Sequence, residues 1–132
     1  MIVVDASIAA KWTFGEEDSG RALAIAHRDD VLAAPSIIVA ELCSVAWKRV
    51  RRGLWEPSDA SASVSIAVGM LDAVVPVEAL WERALTLSMA TDHPVYDCFY
   101  LALAAREASP LASADGRMLD LARALGIAVE TI

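Results

Sequence analysis

Long apolar runs are missing from this sequence. None approaches the roughly 20 residues that a membrane-crossing helix requires, and the N-terminus lacks the basic opening of a secretory signal. The chain is therefore expected to work in the cytoplasm, with no membrane partner. Cysteine is scarce: Cys43 and Cys98 are the two in the chain, and without CxxC spacing they exclude a zinc ribbon or a dithiol redox site. Both lie in apolar helical stretches and are expected to be buried, reduced thiols. Aromatic residues make up 6% of the chain, so the interior has to be built from Ala, Val, Leu and Ile. Positive charge is short as well. With 11 Lys and Arg against 18 Asp and Glu, the net charge of -7 excludes a protein that coats nucleic acid with a broad basic surface. Enzymes that meet phosphate through a bound divalent ion escape that exclusion, because the ion offsets acidic charge locally.

What is present is 132 residues, 57% of them apolar, enough to bury one core, so a single domain over residues 1–132 is expected. Ile2-Val3-Val4 is a short apolar run ending in Asp5, the mark of a strand buried on both faces. Further short runs stand at Val31 to Ala34, Val74 to Val77, Leu111 to Ser113 and Ile127 to Glu130. Helical stretches separate them. One starts near Ala6, and Glu16, Glu17 and Asp18 mark the solvated start of a second that ends near Ala26. Pro35-Ser36 opens a long helix from Ile37 to Arg52, stopped by Gly53. Pro57 to Leu71 is ambiguous, since Ser61 to Ile66 alternates like a strand, but its length and leading proline favour a helix. Helices follow over Glu78 to Ala90, Val95 to Ala108 and Gly116 to Leu125. This alternation implies right-handed crossovers and an α/β fold: a mostly parallel sheet of four or five short strands with helices on both faces.

In open α/β sheets ligands bind outside the carboxyl ends of the strands, which directs attention to Asp5 and Asp115. Each follows an apolar strand and precedes a helix, so each also reads as a helix N-cap, and for Asp115 the cap alone is a sufficient account. Glu41 differs. Ile37, Ile38 and Val45 share its helix face, and no Lys or Arg stands one turn away. A lone carboxylate there is costly unless something neutralises it, although a rim position or a distant salt bridge would also serve. Asp97 repeats the pattern with Leu101 and Ala104, and its place in a first turn also suits the helix dipole. Two acids at strand ends and two on apolar helix faces form an oxygen-only donor set, which suits Mg²⁺ or Mn²⁺. His27 ends an exposed helix and His93 lies beside Pro94 in a turn, so both are expected to be surface residues rather than ligands. Cys43 and Cys98 are rotated about 200° and 100° around their helices from Glu41 and Asp97, which removes them too. Ser113 reads either as a partner for a carboxylate or a bound water, or as a turn residue. Lys48, Arg49, Arg51 and Arg52 form the one dense basic patch, at a helix end where cations are favoured in any case. Trp47 and Trp55 flank it, and packing in a core or a dimer is their expected role in preference to stacking on bases.

The segments VVDASI, PSIIVAEL, VYDCFYLALA and ASADGRML, in that order, resemble the PIN-domain family, and most closely its single-domain VapC-type toxins from bacterial toxin-antitoxin pairs. The resemblance runs the length of the chain. It implies a three-layer α/β/α sandwich and a Mg²⁺- or Mn²⁺-dependent endoribonuclease. Asp5, Glu41, Asp97 and Asp115 would be its catalytic, metal-binding carboxylates, with Ser7 and Ser113 at supporting small polar positions. It also implies an RNA substrate, a homodimer, and a cognate VapB-type antitoxin that keeps the toxin silent. The patch of Lys48, Arg49, Arg51 and Arg52 is then a candidate for RNA or antitoxin contact. Asp92 and Asp120 are not carried over and are expected at the surface. The chemistry expected of such a site is in-line attack on phosphorus by a metal-activated water, leaving a 3′-hydroxyl and a 5′-phosphate. A metal-free binding module on the same fold is the main rival reading, and the presence of all four acids weighs against it. A phosphatase of the DxD kind needs an acid where Ser7 stands, and a phospho-receiver needs a lysine ending a late strand, which the chain lacks.

Overall fold

The structure is a computed structural model that describes residues 1–15 and 17–132. Glu16, grouped with Glu17 and Asp18 at an expected helix start, lies outside the described residues. Strand β1 (Ile2–Val4) is buried at every residue, as is β2 (Leu32–Pro35). Successive side chains of a strand point to opposite faces, so such burial requires cover on both sides of the sheet. Strands β3 (Ala73–Val75) and β5 (Val129–Glu130) are less buried and form the two edges, and β4 (Leu111–Ala112) completes a five-stranded sheet in the order β3-β2-β1-β4-β5. Every pairing is parallel.

Among the described residues seven helices supply the cover. Helix α1 (Ala6–Thr13) follows β1 directly, and α2 (Ser19–Ala26) is tied to it by the Trp12 indole N–H, which donates to the Ala22 carbonyl at 2.9 Å. Helices α3 (Ile37–Arg51) and α4 (Pro57–Gly69) pack on each other and on α1. Helix α5 (Trp81–Thr91) packs on α6 (Val95–Glu107), which lies against β1, β2 and β4, while α7 (Gly116–Ala124) follows β4. The result is a three-layer α/β/α sandwich whose core is mostly Ala, Val, Leu and Ile.

The ambiguous segment after Pro57 is a helix. Proline at its first turn has no N–H to leave unpaired, and the Asp59 carboxylate accepts the Glu56 N–H at 3.3 Å. Strand β3 ends earlier than the apolar run suggests, because Pro76 cannot donate to a ladder; a single 3₁₀ turn (Val77–Ala79) intervenes before α5. At the start of α2, Asp18 adopts a left-handed conformation with φ 64° and its side chain caps nothing.

The strand order places the site. From β1 the chain moves outward through β2 and β3, then returns to the other side of β1 for β4 and β5. Neighbouring strands β1 and β4 therefore lead into connections that run to opposite sides, which opens a crevice at their carboxyl ends. Val4 is paired with Ala112, and the Asp5 N–H donates to the Ala112 carbonyl at 3.2 Å, so Asp5 and the turn from Ser113 to Asp115 lie side by side.

Candidate active site

Asp5 leaves β1 with extended backbone and caps α1, accepting the Ile8 N–H at 3.2 Å. Both of its oxygens are engaged by hydroxyls. Ser7 Oγ donates to Oδ1 and Ser113 Oγ donates to Oδ2, each at 2.5 Å. The two serines are held in turn from behind: the Ala114 N–H donates to Ser7 Oγ and the Asp115 N–H to Ser113 Oγ, both at 2.9 Å. Two short relays thus run from the backbone of the β4–α7 turn through a serine to one carboxylate. Ser113 is itself fully buried.

Asp115 caps α7, accepting the Arg117 N–H at 2.9 Å and the Met118 N–H at 3.4 Å on its Oδ1. Its capping role and its position at the site coexist, because a cap uses one oxygen. Glu41 projects from the middle of α3, and its Oε1 accepts the hydroxyl proton of Tyr100, on α6, at 2.7 Å. Asp97 stands in the first turn of α6 with its Oδ2 at 2.9 Å from His93 Nε2. All four carboxylates line one cavity of about 140 Å³, together with Ser7 and Tyr100. Among the described residues no Lys, Arg or His lines it. A wider cleft of about 660 Å³ shares Ser7, Glu41 and Asp115 with it and adds Lys11, Lys48 and Tyr96.

The electrostatics follow from crowding acids at a buried strand end. Burial pushes Asp5 up to about 6; the hydroxyls of Ser113 and Ser7 and the Ile8 N–H offset part of that, and the charge of Glu41 adds to it. Glu41 is raised as well, first by burial and then by Asp97, with the Tyr100 hydroxyl opposing. The Tyr100 phenol is driven far above its ordinary range by burial and by Glu41, so it stays protonated and donates. The donor set is all oxygen and fits a hard divalent ion that keeps several waters and takes one or two carboxylates. Among the described residues no three His, Cys, Asp or Glu side chains stand close enough together to hold a metal ion by themselves, so an ion here would take one or two carboxylates and complete its shell with water.

The basic patch is divided. Lys48 lines the cleft, whereas the Arg49 guanidinium lies 5.7 Å from the Phe14 ring and 5.3 Å from the Trp55 ring. Arg51 lies 5.1 Å from the Trp47 ring, and Arg52 is exposed at the end of α3. Trp55 packs edge-on against Phe14 at 4.9 Å, while Trp47 is exposed. Asp92 and Asp120 are exposed, as expected.

Two expectations are corrected. His93 is not a surface residue: it is 8% exposed and bonded to Asp97. Asp92 takes a left-handed conformation (φ 51°) that turns the chain back at the end of α5, and this tucks the next residue under α6. Cys43 is exposed, because Ile38, Leu42 and Ala46 form the buried stripe of α3 and Cys43 is one position out of it; Cys98 is buried. Tyr100 and His93 were both missed as partners of the acids. Tyr100 carries a faint signal, since it stands one turn after Asp97 on the same helix.

The comparisons agree with the fold. The family model of the PIN domain matches residues 2–124. No curated protein sequence matches the chain. Among solved structures, PAE2754 from Pyrobaculum aerophilum is similar with a TM-score of 0.74 and 20% identity, over 97% of this chain and 81% of that one. VapC20 from Mycobacterium tuberculosis, described as a toxin that cleaves the sarcin-ricin loop, has a TM-score of 0.73 and 20% identity, over 92% and 95%. A toxin-antitoxin complex from Klebsiella pneumoniae has a TM-score of 0.66 and 15% identity, over 90% of each chain. At these identities the structures speak for the fold, and the family match spans most of the sequence. The chain belongs to the PIN-domain family.

Proposed function

We propose that this protein is a Mg²⁺- or Mn²⁺-dependent endoribonuclease toxin of the VapC type, acting in the cytoplasm as a homodimer and silenced by a cognate antitoxin. The observation that carries the reading is the convergence of Asp5, Glu41, Asp97 and Asp115, from four different elements, on one cavity that no basic side chain among the described residues lines. Such an arrangement stores repulsion that a divalent cation relieves. The similarity to a toxin that cleaves the sarcin-ricin loop, and to a chain of a toxin-antitoxin complex, supports the substrate class and the partner. Among the described residues no helix is long and apolar enough to cross a membrane.

In this reading the ion would be held from among Asp5, Glu41 and Asp97, and Asp115 would offer its second oxygen, the one its capping bonds leave over. When bound, the ion supplies Lewis acidity: it activates water and neutralises charge on the phosphate under attack. Ser7 and Ser113 keep the Asp5 carboxylate from rotating, and Tyr100 does the same for Glu41. Lys48 lines the wider cleft and would meet the phosphate backbone of an RNA lying along it.

The test is cleavage of single-stranded RNA by purified protein with Mg²⁺ or Mn²⁺, followed by product-end analysis. Wild type is expected to yield 5′-phosphates, and Asp5→Asn and Asp97→Asn each to lose at least about a hundredfold in rate while staying folded. Cleavage retained in either variant defeats the site assignment. No cleavage together with no metal-induced rise in melting temperature supports the binding-module reading instead.

A further inference from the structure

Asp5 and Glu41 are each held by hydroxyl groups, but Asp97 is held by a buried imidazole that the established family membership does not require. His93 is 8% exposed, and its Nε2 lies 2.9 Å from Asp97 Oδ2. An ionised carboxylate can only accept, so Nε2 carries the proton and donates it. The residue that bears this ring is pinned at its backbone too. Its carbonyl accepts the Ser88 hydroxyl from α5 at 2.6 Å and the Cys98 thiol from α6 at 3.9 Å. On one side Asp92 is fixed in the left-handed region, and on the other Pro94 has φ -51°. These contacts anchor the His93 backbone between α5 and α6, and the ring is buried. Among the described residues the second oxygen of Asp97, Oδ1, receives no hydrogen bond, and Asp97 lines the cavity with the other acids.

We propose that His93 is a positioning residue for the acidic site, fixing the rotation of the Asp97 carboxylate so that one oxygen is satisfied and the other is left for a divalent cation. This rests on the metal-dependent reading given above. The rival account is purely structural. Asp97 is the third residue of α6, the place from which an acidic side chain commonly reaches back to the N-cap N–H. Here the N-cap residue is Pro94, which has no N–H, and the ring of His93 substitutes. That account predicts a loss of helix stability alone. Positioning predicts a loss of metal affinity, because outer partners of ligating side chains commonly set affinity over a range of 10 to 100.

The two separate in a Mn²⁺ titration by calorimetry on wild type, His93→Gln and His93→Asn, with the metal-free melting temperature of each recorded. Gln places an N–H where Nε2 stands, whereas the amide of Asn reaches only the position of Nδ1. Positioning predicts that His93→Asn binds Mn²⁺ about 10 to 100 times more weakly and that His93→Gln stays within about threefold of wild type. Equal affinity in all three proteins, with only the melting temperatures lowered, overturns the proposal in favour of capping. A tenfold loss in His93→Gln overturns it as well, and that arm stands even if His93→Asn fails to fold. A wild type that binds no Mn²⁺ removes the metal reading and this inference together, which distinguishes that outcome from a responsive wild type beside an equally responsive His93→Asn.

Discussion

Burial holds the Asp5 carboxyl at about 6, against an ordinary value of 3.8, and this makes the residue a liability for the metal-free fold. Below about pH 4 the group is neutral in the folded and the unfolded chain alike. Between there and about 6 the unfolded chain loses its proton while the folded chain keeps it, so rising pH favours unfolding. Above that range both states are ionised and the deficit is constant, on the order of 3 kcal/mol. Asn at this position carries no charge yet can still bond both serines. The expected result is that metal-free Asp5→Asn is more stable than wild type at pH 7.5, and that its advantage shrinks as the pH falls through 6 toward 4. Urea melts of both proteins across that range measure the difference, which cancels titrations common to the two. A difference that does not change with pH contradicts the burial argument.

At the scale of the helix, α3 combines a core stripe with a site residue. Ile38, Leu42 and Ala46 recur every fourth position and are buried, while Glu41 is half-buried beside them and Cys43 is exposed. Leu42→Ala removes a wholly buried side chain and is expected to cost about 2 to 5 kcal/mol. Its neighbour Cys43→Ser, on the solvent side, should stay within about 0.5 kcal/mol of wild type, with both read from urea midpoints. A large loss for Cys43→Ser would return that thiol to the core. The same helix shows what a sequence discloses. Its ends are marked by Pro35-Ser36 and Gly53, and its core stripe by a period close to 3.6, so the helix and its misplaced acid were both visible. Which flank of the stripe meets solvent depends on where α4 packs against α3, and no local pattern carries that. The partners of the acids were hidden for a related reason. Tyr100 reaches Glu41 across two helices, and His93 is buried by a left-handed turn at Asp92, a conformation that only a few per cent of non-glycine residues adopt. Parallel alternation, in contrast, was legible throughout, because β1 to β4 are apolar runs that end at a cap, a proline or a turn, and β5 follows Gly126.

For the molecule as a whole, a net charge of -7 and an acidic cavity oppose the approach of a polyanion, so the few cations beside the cavity should act by position and not by sum. Lys48 lines the cleft next to Glu41, whereas Arg51 on the same helix lies over the Trp47 ring and is not among the residues that line it. Replacing either by Ala changes the net charge equally. If long-range attraction governed RNA capture, the two variants would lose equally. Contact at Lys48 predicts otherwise: Lys48→Ala lowers kcat/KM on single-stranded RNA by about threefold to tenfold and reduces the slope of log kcat/KM against log salt by about 0.7, as one lost phosphate contact does. Arg51→Ala should leave both quantities near wild type. The measurement is a salt series between about 50 and 200 mM at saturating Mg²⁺. Equal losses in the two variants would mean that long-range attraction governs capture, and no loss and no change of slope in Lys48→Ala would move the RNA path to another side of the four carboxylates.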